Sequence, residues 1–424
     1  MKRSRFVFGG LAGLTVTAAS SDLFGRALAQ TPAQTPALRF ATSSDRVLVV
    51  INLQGGNDGL NTVVPHGVPA YYRLRPTLGI APGDVLRIDS KIGLNPEMAA
   101  LKAMYDAGHV AIVQGAGYPK ADHSHFRSTA IWQTAEPERI ANTGWVGRFL
   151  DAAELPQNNL FNAVAVAPVL PEMMIARNVD VPAIAGLKGY GLASDRNDSQ
   201  RMAFASRVRD DRVPFTSPYL ATVASIEDHA QRGSEELPKL VAGYATTASY
   251  PATGLGRSLA LAAQIVGSRL GTRVVYVQHG SFDTHAGQKP VQNRLLRELS
   301  DALKAFYVDL AAHGNDTRTL TMTFSEFGRR APENASRGTD HGEAAPMFLV
   351  GGGIKGGIYG EHPSLDALVD GNPAYDRFSQ RVCHRYPEVV RAANYWHYRR
   401  DVRPFTDARL KSRSLRNAPE SGLR

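Results

Sequence analysis

Short apolar runs alternate with amphipathic stretches along most of the chain. The run "RVLVVINL" (46–53) is apolar almost throughout, which predicts a strand buried on both faces. "HVAIVQGAG" (109–117), "NAVAVAP" (162–168), "TRVVYVQHG" (272–280), "TRTLTMTF" (317–324) and "APMFLVGGG" (345–353) read the same way. Between them lie helical patterns. "NPEMAALKAMYDAG" spaces Met98, Leu101, Met104 and Tyr105 on one helical face and stops at Gly108. A helix is expected from about Phe126 to Ala135, another over "GLGRSLALAAQIVGSRLG" and a long amphipathic one over "QNRLLRELSDALKAFYVDLAAHG", closed by Gly314. Strand, helix, strand in this rhythm predicts an α/β fold, a mostly parallel sheet flanked by helices. Residues 170–250 are weakly patterned and polar, and are expected to form an irregular helical insertion or cap.

Polar residues of catalytic type cluster where the strands end. "QGGNDGLN" holds Asp58, "YPKADHSHFRS" holds His123, Ser124 and His125, and "QHGSFDTHAG" holds His279, Asp283 and His285. "SEFGRR" carries Glu326, and "RGTDHGE" carries Asp340 and His341. In an open α/β sheet such loops converge on one edge. Carboxylate oxygen and neutral imidazole nitrogen both suit zinc and similar divalent ions, so Asp58, Asp283, His285, Asp340 and His341 are candidate metal ligands. Ser124 precedes a helical segment. It is there either as a helix cap or as a hydroxyl nucleophile, activated by a neighbouring metal and helped by the helix N-terminus in meeting an anion. His125 is a candidate to position substrate or pass a proton, and Glu326 to orient ligands or to pair with Arg329 or Arg330. "GGGIKGG" (351–357) lacks phosphate-loop spacing and is expected to be a hairpin turn.

Composition changes this picture in two places. Hydrophobic residues make up 43% and charged residues 21% of the 424, ordinary globular usage that excludes a disordered chain. The net charge of +9 would suggest a nucleic-acid or anionic-membrane partner, but the last 49 residues hold twelve Lys and Arg against five Asp and Glu. Seven of the nine excess charges therefore sit in the tail, and no nucleic acid is expected on the body. The N-terminus has Lys2, Arg3 and Arg5, an apolar stretch from Phe6 to Ala19 and a small-residue site at Ala27-Leu28-Ala29. This predicts an export signal over 1–29 cut before Gln30, a linker over 30–45 and a periplasmic or secreted protein. The Arg3-Ser4-Arg5-Phe6 run is similar to a twin-arginine signal with its pair interrupted, so the expected export machinery is Tat or Sec. The apolar stretch falls short of the ~20 residues that cross a bilayer, and no transmembrane helix is expected in the mature chain. A lone Cys383 rules out an internal disulfide.

A set of motifs resembles one family. "VVINLQGGNDGLNTVVP", "HSHFRSTAIWQT", "GWVGRFLD", "VVYVQHGSFDTHAGQ", "TFSEFGRR", "GTDHG" and "GGGIKGGIYG" identify the chain as a member of the DUF1501 proteins of bacterial export. That family is grouped by resemblance with the alkaline phosphatase and sulfatase superfamily. The resemblance implies that Asp58 is the early metal-binding Asp, that Ser124 holds the nucleophile's place, that Asp283 and His285 bind one metal, and that Asp340 and His341 are the late Asp-His pair. Two departures stand out. The Asp283 to His285 spacing is shorter than in alkaline phosphatases, and the sulfatase Cys-x-Pro-x-Arg signature is missing. The resemblance covers about residues 46–365, with an α/β domain over 46–375, and is read as stopping near Asp376. A one-base frameshift just upstream would give the basic tail (376–424) and the lone cysteine together.

The expected activity is metal-dependent hydrolysis of a phosphate or sulfate ester, with zinc as first choice of ion and manganese or calcium next. The expected partner is a small anionic ester or glycan. The rival reading is a cell-envelope binding or assembly protein in which the same polar residues hold a structural ion or an anionic glycan.

Overall fold

The structure is a computed structural model that describes residues 45–118, 121–153, 155–156, 159–187, 236–351 and 353–373, with short pieces at 11–12, 191–192, 233 and 376–377. Nearly all of the expected export signal and linker, much of the 170–250 insertion and most of the 376–424 tail lie outside the described residues.

The apolar runs form the central sheet. Its strands in chain order are β1 (Val47–Gln54), β2 (Val110–Gly117), β3 (Ala163–Val166), β4 (Val274–Gly280), β5 (Thr319–Phe324), β6 (Ala345–Gly351), β7 (Gly357–Tyr359) and β8 (Asp376–Arg377). They lie in the order β7-β2-β6-β5-β1-β4-β3, with β8 also pairing with β2. Thr321, Val49, Val275 and Val164 form one row across four parallel strands. Only β6 among these strands runs against its neighbours, antiparallel to both β5 and β2. The sheet is therefore mostly parallel, as the strand and helix rhythm predicts.

The helices are α1 (Gly59–Thr62), α2 (Pro69–Leu74), α3 (Ala99–Asp106), α4 (His125–Thr134), α5 (Trp145–Ala152), α6 (Gly254–Gly267) and α7 (Gln288–Ala312). Strand alternation explains why the runs are apolar at nearly every position. Val49, Ile51 and Leu53 pack with Met98, Leu101, Leu259, Leu299 and Phe306 of α3, α6, α7 and the turn before α3. Val50, Met322 and Phe324 face the other way, against Trp145, Val146 and Leu150 of α5. Both faces of the sheet are thus covered by helices, and each strand residue has an apolar neighbour on one side or the other.

The reversal of β6 matters for function. Residues 325–344 leave β5 at the carboxyl edge of the parallel strands, and an antiparallel β6 starts from that same edge. The whole segment, with both Glu326 and the Asp340-His341 pair, stays at one end of the sheet. "GGGIKGG" is not a hairpin turn. Both edges of β6 are taken, by β5 and β2, so the chain crosses over β2 and adds β7 parallel on its far side. No helix among the described residues is long and apolar enough to cross a membrane.

Candidate metal centre

Four side chains from three segments meet at the carboxyl edge. His125 is the first residue of α4, Asp283 and His285 follow β4, and His341 precedes β6. Ligand atoms of His125, Asp283 and His341 all lie within 4.8 Å of one another. His125 Nε2 is 3.3 Å from Asp283 Oδ2, and His341 Nε2 is 3.2 Å from Asp283 Oδ1. His285 Nε2 stands 3.1 Å from Asp283 Oδ1 and 3.0 Å from His341 Nε2. Phe327 backs the cluster, its ring centroid 4.3 Å from that of His341 and 4.9 Å from that of His125.

The outer nitrogen of each imidazole decides what the inner one offers. His341 Nδ1 lies 2.7 Å from the His123 carbonyl, which only accepts, so Nδ1 carries the proton and Nε2 keeps its lone pair. His125 Nδ1 lies 2.9 Å from Glu326 Oε1, and His285 Nδ1 lies 3.5 Å from Asp340 Oδ1. Each imidazole Nε2 then stands 3.1–3.3 Å from an Asp283 oxygen, and the Nε2 atoms of His285 and His341 are 3.0 Å apart, so lone pairs face one another. Acceptors facing acceptors repel unless a cation lies among them, and nitrogen and oxygen donors with carboxylates or carbonyls behind the rings are how divalent metals are held. The residues present fit such an ion.

Charges around the cluster favour the binding form. Burial alone would raise Asp283, but the hydrogen bond and positive charge of Arg329, together with the adjacent imidazoles, outweigh it and hold its carboxyl at about 2. Burial pushes the His341 ring below the ordinary histidine range, against the hydrogen bond with His123. Asp340 is held low by the Asn334 amide, over the opposing effect of burial, and further by His285. At neutral pH the carboxylates are therefore anionic and His341 is neutral, as ligands must be.

Arg329 ties the site to the fold. Its fully buried guanidinium donates to Asp283 Oδ1 at 2.7 Å and to the carbonyls of Gly56, Thr339, Phe282 and Gly55, joining three loops through one side chain. The glycines of "GTDHG" serve the same packing. A Cβ at Gly338 would come within 2.1 Å of the His285 backbone, and one at Gly342 within 2.4 Å of the Arg329 backbone. Only glycine lets the loop bearing His341 lie this close to those two segments.

The expected site residues separate into distinct places. Asp283, His285 and His341 come together as ligand candidates. His125, expected to handle substrate or protons, stands with them as a further donor. Glu326 neither pairs with Arg329 nor reaches the centre: buried, it accepts from the Gly55 N–H at 2.8 Å and orients His125. Asp340 lies behind His285 and accepts from Asn334 at 3.1 Å. Ser124 is exposed, one residue before His125, in the cap position of α4, and its hydroxyl makes no cap hydrogen bond. His279 is buried and bonded to the Leu295 carbonyl at 2.9 Å.

Asp58 is the correction. It is fully buried against Arg75, with contacts of 2.6 and 3.1 Å, accepts from Gln288 and from the Leu60 N–H, and caps α1. Both of its oxygens are used by donors, so in this structure it is an ion-pair partner of Arg75 and stands outside the His-Asp cluster. The role of Glu326 gives a measurable expectation. Glu326→Ala leaves His125 unoriented and is expected to weaken zinc binding by about 10- to 100-fold, read by competition with a chelating dye. Unchanged affinity would mean that His125 needs no support from behind.

This is an α/β protein whose sheet edge carries His and Asp side chains spaced as metal ligands are. The chain belongs to the family described as "Protein of unknown function (DUF1501)", whose model matches residues 116–403, running past Asp376. No curated protein matches the sequence. Among solved structures, the chain is similar to the lipoteichoic acid synthase LtaP from Listeria monocytogenes, at 9% identity and a TM-score of 0.33, covering 80% of this chain and 71% of that one. A protein in the alkaline phosphatase superfamily from Vibrio parahaemolyticus aligns at 9% identity and a TM-score of 0.34, over 81% and 71%. The alkaline phosphatase from the Antarctic bacterium TAB5 aligns at 11% and 0.29, over 75% and 95%. Likeness at these TM-scores carries no functional weight, and the chemistry has to come from the side chains themselves.

Proposed function

We propose that this protein is an exported, metal-dependent hydrolase of phosphate or sulfate esters, working in the periplasm or outside the cell. The observation that carries the reading is the convergence of His125, His285 and His341 ring nitrogens on the Asp283 carboxylate, with an acceptor behind each ring. Three nitrogens and one carboxylate suit zinc better than calcium, which takes oxygen ligands, and better than manganese. When bound, a divalent ion there would polarise an ester oxygen and lower the pKa of a hydroxyl or water beside it.

The chain's own residues supply the rest. The side chains of Asp283 and His285 are 36% and 46% exposed, so an ester can approach the cluster from solvent. Access from solvent is what the enzyme reading requires of these residues. Ser124, exposed and without a cap bond, is the nucleophile in this reading, and the start of the ten-residue α4 beside it favours the anionic group of the substrate.

The test is a panel of phosphate monoesters, phosphate diesters and sulfate esters offered to the zinc-loaded protein. Hydrolysis is expected with at least one class, to stop on chelation, and to fall about a thousandfold or more in Ser124→Ala. Zinc-loaded protein that turns over none of them would overturn the hydrolase reading. Turnover unchanged in Ser124→Ala would pass the nucleophile's role to water.

A further inference from the structure

Three consecutive residues at the start of α4 do three different things. Ser124 presents an unengaged hydroxyl, His125 turns its ring into the metal cluster, and Phe126 stands 91% exposed. Phe126 is the most exposed large apolar side chain among the described residues, while Phe282, Phe306, Phe324, Phe327 and Phe348 are buried. An aromatic ring left in water gains stability from any flat apolar surface that covers it, and a helix start needs no Phe for its own sake. Successive helical residues are turned about 100° from each other, so Phe126 flanks the cluster instead of entering it. Phe126 is thus an apolar surface next in sequence to the residues that would meet the anionic group of an ester.

We infer that Phe126 is the specificity-determining platform of the site, and that the ester it selects carries a ring with a flat apolar face next to its phosphate or sulfate group. Stacking on Phe126 would cover the ring on one side without touching the reacting atoms. The shared chemistry is the ring face, offered by an aryl group or by the C–H face of a sugar. This inference rests on the hydrolase reading and adds the class of group attached to the ester.

Phosphonates, which cannot be hydrolysed, make the test independent of turnover. Calorimetric titration of the zinc-loaded full chain would compare methylphosphonate, phenylphosphonate and the phosphonate analogue of glucose 6-phosphate. At least one ring-bearing ligand is expected to bind about tenfold tighter than methylphosphonate, and which of the two does so tells aryl from sugar. Phe126→Ala is expected to close that gap and to leave methylphosphonate affinity unchanged, a pattern that a merely structural role would not produce. As the side chain is exposed, the variant should melt with the wild type. A gap that survives Phe126→Ala, or no gap in the wild type, would overturn the inference alone. If no phosphonate binds to zinc-loaded protein, the ester reading falls and takes this inference with it.

Discussion

Asp58→Ala is expected to destabilise the protein by about 3–5 kcal/mol, because it leaves the Arg75 guanidinium buried without its counter-charge. The pair is fully enclosed, with Arg75 also donating to the carbonyls of Arg330 and Ala331 and Gln288 also donating to Asp58. These contacts join the loop after β1, the end of α2, the 330–331 segment and the start of α7. Their loss is felt at four places at once. Denaturant unfolding measures the cost, and metal content of the folded fraction gives a second readout. Metal at the wild-type level in folded Asp58→Ala protein is expected, since Asp58 lies outside the cluster. Full stability together with lost metal would restore Asp58 as a ligand and remove the structural assignment.

His285→Ala combined with His341→Ala is expected to abolish stoichiometric zinc binding while leaving the fold in place. The two ring nitrogens sit 3.0 Å apart, so the double change takes half of the four-donor set from one spot. It spares Asp283, whose removal would strand the buried charge of Arg329. Elemental analysis beside a thermal melt separates the two effects, and undiminished zinc in the double variant would remove the metal centre proposed here. Acidification should act in the same direction, because a protonated imidazole cannot be a ligand and affinity must fall as the rings take up protons. The sign follows for His341, whose pKa lies below the ordinary range, so it remains a competent ligand further into acid than a free histidine. Asp283, at about 2, stays anionic throughout that window.

Much of the fold was legible from local pattern. The six apolar runs became β1 to β6, the first shifted by one residue and the others shortened by one to three, and the long amphipathic stretch became α7 with a start a turn earlier than its pattern suggests. These elements follow from periodicity of 2 or 3.6 residues and from burial on both faces, which nearest neighbours in sequence already encode. What periodicity could not show is pairing. The antiparallel direction of β6 depends on the absence of a crossover helix in 325–344, and the step over β2 depends on both edges of β6 being occupied.

Within the site, the sequence by itself determined the chemical inventory and its address: histidines and carboxylates in loops at strand ends. It could not rank them. Asp58 and Asp283 are both Asp residues in glycine-bearing loops after parallel strands, and each accepts from a buried arginine, yet the oxygens of Asp58 are taken up by Arg75, Gln288 and the Leu60 N–H while Asp283, held by Arg329, also faces three histidines. His125 and Glu326 are 201 residues apart, and neither carries a local mark of their hydrogen bond. Whether a carboxylate becomes a ligand, an orienter or an ion-pair partner is set by the donors and charges brought to within about 3 Å of it. Coulomb energy and hydrogen bonding depend on that distance and on burial, not on separation along the chain. Residue type is written locally, while role is a property of neighbours, and only the tertiary structure supplies those.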